Sequence, residues 1–318
     1  MSVDVDGLVA RAREGDHRSV ARLITLVENA APELREVMAA LVPSSGNARL
    51  LGITGSPGVG KSTTTSELLA AYRRRGERVG VLAIDPTSPF SGGALLGDRV
   101  RMQDHATDAG VYIRSMGTRG HLGGLSWATP QAVRVLDAVG CDVVIVETVG
   151  VGQAEVDIAA LADTTVVMLA PGLGDGIQAA KAGILEIADV LVVNKADRDG
   201  ATQTVRDLKA MLALAGTPAP GDWRPPVLST VSVKSENIDQ LVEELDRHRD
   251  WLGASGQLEV RRQRRVVEEI EGLAVAAMRN RIAELRGGAL VTDLAAEVLR
   301  GTTDPYAAAD RLVAAVDR

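Results

Sequence analysis

The sequence predicts a doubly wound α/β fold: a mostly parallel sheet covered by helices on both faces, with helical extensions at both ends. Three observations carry this. Short Val/Ile/Leu runs alternate with helical stretches, the first run enters a glycine-rich loop that opens a helix, and such runs cease after about residue 235. The candidate strands are Leu50–Thr54, Val79–Asp85, Val111–Arg114, Val143–Glu147, Thr165–Leu169, Val190–Asn194 and Val227–Thr230. Several are continuously apolar, as strands covered on both faces of a parallel sheet must be. Strands alternating with helices give the doubly wound arrangement.

The elements follow in order. Residues 2–42 read as helices, because Leu23, Ile24, Val27, Leu34, Val37, Met38 and Leu41 recur at spacings of three and four. Breaks fall near Gly15-Asp16 and at Pro32. Pro43-Ser44-Ser45-Gly46-Asn47 links them to the first strand. Past residue 235, Leu241, Leu245, Trp251, Val266, Ile270, Leu273 and Ala277 mark amphipathic helices, interrupted at Gly287-Gly288. A last helix starts at Asp304-Pro305, with Asp as N-cap and Pro in the first turn. The expected domains are therefore an N-terminal helical extension (1–44), a nucleotide domain (45–256) and a C-terminal helical extension (257–318).

The chain has 318 residues and is 46% hydrophobic but only 2% aromatic, so its core must be built from Val, Leu, Ile and Ala. A net charge of −7 argues against nonspecific nucleic-acid binding, which needs basic faces. Arg261, Arg262, Arg264 and Arg265 read as the solvated face of a helix. The sole cysteine, Cys141, reads as a buried core thiol in a reducing compartment. No signal-peptide pattern and no membrane-length apolar run is apparent, so a soluble cytoplasmic protein is expected.

Gly55-Ser56-Pro57-Gly58-Val59-Gly60-Lys61-Ser62 fits the pattern G-x-x-x-x-G-K-[ST] at every specified position, between a strand and the helix that begins at Thr63. Glycines there let backbone N–H groups close around phosphate oxygens, and the helix N-terminus adds partial positive charge. Lys61 would reach the β and γ phosphates, and the Ser62 hydroxyl would bind Mg²⁺. The sequence thus predicts a nucleoside-triphosphate site.

Asn194-Lys195-Ala196-Asp197 follows an apolar run, at a strand's C-terminal mouth where such folds bind ligands. A carboxylate at Asp197 accepts from both N1–H and the exocyclic amino group of guanine. Adenine offers neither donor there and would leave a buried charge unpaired, so GTP and GDP are favoured over ATP. Asn194 would brace the loop, and the Lys195 alkyl chain would cover the base. Val231, Ser232 and Val233, after the last strand, would place a backbone N–H on the guanine O6. Glu147 ends a strand and can hold Mg²⁺ through water or polarise the attacking water, while the Gly150 N–H can sense the γ-phosphate. Asp85 and Asp98 are alternative carboxylates for the Mg²⁺ sphere. His17, His105, His121 and His248 are scattered and form no ligand-spaced cluster with Cys141.

Several stretches together resemble the MeaB/ArgK family of methylmalonyl-CoA mutase-associated GTPases. They are Gly52 to Thr63, Ala83 to Pro89, Gly92 to Met102, Arg119 to Leu125, Glu147 to Gln153, and Gly174 through Lys181 to Asp189. The resemblance spans nearly the whole chain. It implies a P-loop GTPase core with helical extensions, and a homodimer joined through the C-terminal helices. It also implies a partner, an adenosylcobalamin-dependent methylmalonyl-CoA mutase that the GTPase protects and whose cofactor loading it gates. By position it makes Asp85, Asp98 and Glu147 the carboxylates around Mg²⁺ and the attacking water. Asp98 falls on a first switch and Glu147 to Gln153 on a second. Lys181, with Asp175 and Gln178, falls on a third that relays nucleotide state and includes Lys181 in catalysis. Val231-Ser232 departs from the family's Ser-Ala. The alternatives are an ATP-dependent kinase or ATPase linked to arginine/ornithine transport, which Asp197 disfavours, and a metallochaperone GTPase, which the lack of a His or Cys tract disfavours.

Overall fold

The computed structural model describes residues 3–85, 105, 107–117, 125, 127–148, 154–172, 185–214, 219, 221–286 and 289–316. Seven strands form a single parallel sheet: β1 (Arg49–Gly55), β2 (Val79–Asp85), β3 (Val111–Gly117), β4 (Val143–Thr148), β5 (Thr164–Leu169), β6 (Val190–Val193) and β7 (Val227–Ser229). Their order is β3-β2-β4-β1-β5-β6-β7. All seven expected strands are present. β1 lies between β4 and β5, and the chain builds outward from it in both directions, so the C-terminal mouth of β1 is a topological switch point.

Among the described residues the helices longer than one turn are α1 (Val5–Arg13), α2 (His17–Glu28), α3 (Leu34–Leu41), α4 (Lys61–Arg74), α5 (Thr129–Ala138), α6 (Ala154–Leu161), α7 (Ala201–Leu214), α8 (Ile238–Ala254), α9 (Gln257–Arg286), α10 (Ala289–Leu299) and α11 (Pro305–Val316). The break at Gly15-Asp16 is a cap: the Asp16 carboxylate accepts from the Arg18 and Ser19 amides, the device that starts α2. Asp304 does the same for α11, accepting from the Tyr306 and Ala307 amides with Pro305 at the first helical position.

The two-residue pleat of the strands sorts the core. Leu50, Leu82, Ile84, Val144 and Val146 face a cluster that contains α1, α2, α3 and α5. Leu51, Ile53, Val79, Val81, Val143 and Ile145 face the opposite one, with Leu68, Leu69 and Tyr72 of α4 and Leu241, Val242 and Leu245 of α8. α7 closes a third cluster over Val167, Leu169, Leu191 and Val193. Full burial of each such side chain contributes roughly 1.5–3 kcal/mol, so these faces hold the helices down. Cys141 is 3% exposed, and burial pushes its thiol up to about 12, which makes it an inert packing residue.

Aspartates at the turns entering the strands fix their neighbours. Asp142 accepts from the Arg78 amide, Asp163 from Leu50, and Asp189 from Thr165. Two of these carboxylates also bind arginines that the sequence placed on a solvated face. Arg261 makes a bidentate pair with Asp189 at 2.8 and 2.8 Å. Arg262 contacts Asp163 at 3.0 Å and the carbonyls of Gly46 and Ala48. The expectation is corrected for these two, because carboxylates distant in sequence wait where α9 begins; Arg264 does lie exposed, beside Glu268.

The chain divides into two compact units, Met1–Arg262 and Gln263–Arg318. The second consists of the remainder of α9 with α10 and α11, the last two joined by Arg311 and Glu297 at 2.5 Å. Val266, Val267, Ile270, Leu273, Val275 and Met278 of α9 are exposed large apolar residues. Among the described residues no helix is long and apolar enough to cross a membrane.

Candidate nucleotide site

The loop from Gly55 to Gly60 leaves β1 and turns directly into α4, so Lys61 and Ser62 occupy the first helical turn. Two glycines are required by the space around them. Gly55 has φ +137°, and a Cβ there would lie 2.1 Å from the Met168 carbonyl oxygen. Gly60, the left-handed N-cap of α4 at φ +101°, would drive a Cβ to 2.3 Å from Asn194 Nδ2. The open space beside Gly58 leaves the loop backbone approachable.

Lys61 folds over the loop, its Nζ donating to the Gly55 carbonyl at 2.8 Å and to Ser56 at 3.1 Å. Ser62 Oγ donates to Glu147 Oε1 at 2.6 Å, and Glu147 is 4% exposed at the end of β4. Pro57, Gly58, Gly60, Lys61, Ser62, Thr63, Glu147, Thr148 and Lys195 line one cavity of about 400 Å³. A hydroxyl and a buried carboxylate side by side, beneath a loop of backbone amides, are the hard oxygen donors that suit Mg²⁺ with a polyphosphate. The set fits both groups.

On the other side of the mouth, the β6–α7 loop carries Asn194 to Asp197. Asn194 is 3% exposed and acts as a hub. Its Nδ2 donates to the Val59 carbonyl at 2.9 Å, while its Oδ1 accepts from the Ser232 amide at 3.1 Å and the Ser232 hydroxyl at 2.9 Å. Lys195, at φ +58°, donates from Nζ to the Gly58 carbonyl at 2.6 Å. Val231 and Ser232 are buried and Val233 is exposed.

Asp197 departs from the buried carboxylate described above. Its side chain is 40% exposed and lies 3.2 Å from Lys234 Nζ. Asp197 follows β6 by four residues, in the loop that leads into α7.

Asp98, Gly150 and Lys181 lie outside the described residues, as do Gln153, Asp175 and Gln178. The backbone of Asp85 ends β2, paired with Gly117 of β3. One residue that the sequence reading missed is Glu155, in the first turn of α6. Burial raises its carboxyl above the usual range, against the pull of the Lys61 ammonium. It immediately follows Ala154 after the Glu147-to-Gln153 stretch, a position that the motif pattern alone does not mark.

A family model described as "Methylmalonyl Co-A mutase-associated GTPase MeaB" matches residues 20–286. A putative GTPase of Pyrococcus abyssi is 49% identical over 311 residues, covering 97% of this chain and 96% of its own length. GTPase ArgK of Escherichia coli is 36% identical over 266 residues, covering 82% and 80% respectively. The crystal structure of an LAO/AO transport system kinase superposes with a TM-score of 0.72 at 26% identity, over the full length of both chains.

Proposed function

This chain belongs to the MeaB family of methylmalonyl-CoA mutase-associated GTPases, and from that premise we propose that it is a nucleotide-controlled chaperone. Its partner in this reading is an adenosylcobalamin-dependent methylmalonyl-CoA mutase in the cytoplasm, which it protects and whose cofactor loading it gates. The family description supports the partner. The geometry that supports the nucleotide half is the Asn194 amide, which joins the guanine-type loop to the phosphate loop at a single mouth.

The residues divide the chemistry of GTP hydrolysis. Phosphate oxygens offer the Lys61 ammonium a charged acceptor stronger than the two carbonyls it now contacts. Ser62 and Glu147, with Asp85 and Asp98 as further oxygen donors, would hold Mg²⁺, which when bound neutralises charge on the phosphates. In this reading Glu147 also orients the attacking water. Groups that position water act chiefly as charge moves, so they contribute to turnover more than to affinity. Glu147→Ala is accordingly expected to lower GTP turnover by roughly 10²-fold or more while GDP affinity stays within several-fold of wild type. Single-turnover hydrolysis and GDP titration check this, and unchanged turnover in a folded variant removes Glu147 from the site.

Val266, Ile270 and Leu273, exposed at spacings of three and four along α9, support a homodimer, since an exposed apolar stripe of this kind marks an interaction surface and two-fold pairs are the commonest oligomers. Sedimentation at micromolar concentration is expected to give a dimer; a monomer would refute it. GTP is then expected to order the loops carrying Asp98, Gln153 and Lys181 and to change affinity for the mutase, through contacts that differ between two states. Co-purification of the mutase with GDP and with a non-hydrolysable GTP analogue tests this, equal recovery being the adverse result. The kinase reading, which the solved structure's name suggests, predicts instead that ATP binds as tightly as GTP.

A further inference from the structure

Building on the guanine-nucleotide reading, we propose that the Ser232 hydroxyl is a positioning group that locks the base loop to the phosphate-loop helix. Ser232 begins the turn Ser232–Lys234 after β7 and is 1% exposed. Its Oγ lies 2.7 Å from Thr64 Oγ1 in α4 and 2.9 Å from Asn194 Oδ1. Thr64 Oγ1 in turn lies 3.1 Å from the Gly60 carbonyl.

Two separate routes therefore run from the base loop to the phosphate loop. One passes through the Asn194 amide to Val59. The other passes through Ser232 and Thr64 to Gly60, whose carbonyl accepts from the Thr64 amide at 3.0 Å whichever way the hydroxyls point. They end on consecutive loop residues, which restrains rotation of the loop as well as its distance. Each hydroxyl has a single proton to donate. Ser232 can donate to Asn194 while Thr64 donates to Ser232. Alternatively, Ser232 donates to Thr64 and Thr64 to Gly60, with Asn194 Oδ1 still accepting from the Thr230 hydroxyl and the Ser232 amide. The Ser232–Thr64 bond survives in both arrangements.

Thr64, Ser232 and Asn194 are all buried, so water does not replace a lost partner. Packing alone would be served by a methyl group at Ser232. The hydroxyl adds a rigid tie between the two protein segments that a spanning nucleotide would contact, which lowers the ordering cost of binding.

The test is the release rate of a fluorescent GDP from full-length protein. Ser232→Ala and Thr64→Val are each expected to speed release about tenfold, the scale of one buried hydrogen bond. The double variant should be no faster than either single one, since both remove the same tie. Thr64→Ser, which keeps the hydroxyl, should stay within about twofold of wild type by the same reasoning. Wild-type release from Ser232→Ala, additive single effects, or a Thr64→Ser as fast as Thr64→Val would each overturn the proposal. Hydrogen exchange of the nucleotide-free protein is the second arm. Ser232→Ala should speed exchange in both residues 57–61 and residues 231–236, and acceleration confined to one segment contradicts the tie. Failure of the wild type to bind guanine nucleotides would defeat the functional reading instead, and the exchange arm would still decide the tie.

Discussion

Asp197→Asn is expected to weaken GDP binding by roughly a hundredfold or more and to turn preference toward xanthine nucleotides. Guanine presents two donors, N1–H and the amino group, to one carboxylate, and hydrogen bonds to a charged group contribute about 1.5–3 kcal/mol each. An amide accepts one of these and opposes the other with its own N–H₂. Xanthine carries a carbonyl where guanine carries the amino group, so the amide donor gains a partner. The Asp197 side chain is 40% exposed beside Lys234, so a base seated on it would have to exclude water for this selectivity to develop. Lys234→Ala, which removes only that exposed ion pair, should change affinity little, by about 1 kcal/mol at most. Calorimetric titration with GDP, XDP and ADP checks both variants. Equal binding of ATP and GTP by the wild type would sink the guanine reading.

The second large effect is on stability. Asp189→Ala is expected to cost about 3–5 kcal/mol, because it leaves buried donors without their charged acceptor. The carboxylate, 6% exposed, accepts from the Thr165 amide at 2.8 Å and from both guanidinium nitrogens of Arg261, and lies 3.3 Å from His248 Nε2. His248 is itself fully buried, packed against Trp223 and Trp251, and bonds Thr164 at 2.8 Å through Nδ1. Burial alone would raise the Asp189 carboxyl, but the hydrogen bonds from His248 and Arg261 outweigh it and hold the group below its usual range. A carboxyl whose folded pKa is depressed contributes stability that is fully present above the unfolded value of about 3.9 and lost as pH falls through the folded value. The variant's deficit should therefore be constant near neutrality and shrink below about pH 4. Urea unfolding at pH 7 and pH 3 measures it, and a deficit that grows in acid contradicts the assignment.

The identity of the strands, their parallel pairing and the phosphate loop were legible because each is a local pattern. A continuous run such as Val143-Val144-Ile145-Val146 needs two covered faces wherever it lies, and Gly55 to Ser62 brings its strand and helix with it. The helix start at Asp304 was readable for the same reason, since a cap acts within three residues, whereas Gly15-Asp16 read only as a break and Asp16 as its cap came from the structure. Tertiary structure decided what depends on residues far apart in the chain. Arg261 and Arg262 resemble a solvated face until Asp189 and Asp163, 72 and 99 residues away, are brought beneath them. His248 looked isolated because its partners Thr164 and Asp189 are also remote. Glu155 acquires its raised carboxyl only from the burial and charge that folding places around it. The exposure of Asp197 likewise depends on where its loop stands above the sheet, not on the four residues that name the motif. Periodicity and short motifs encode what a segment does by itself; the charge partners of a side chain, and the water left around it, exist only once the sheet has brought distant segments together.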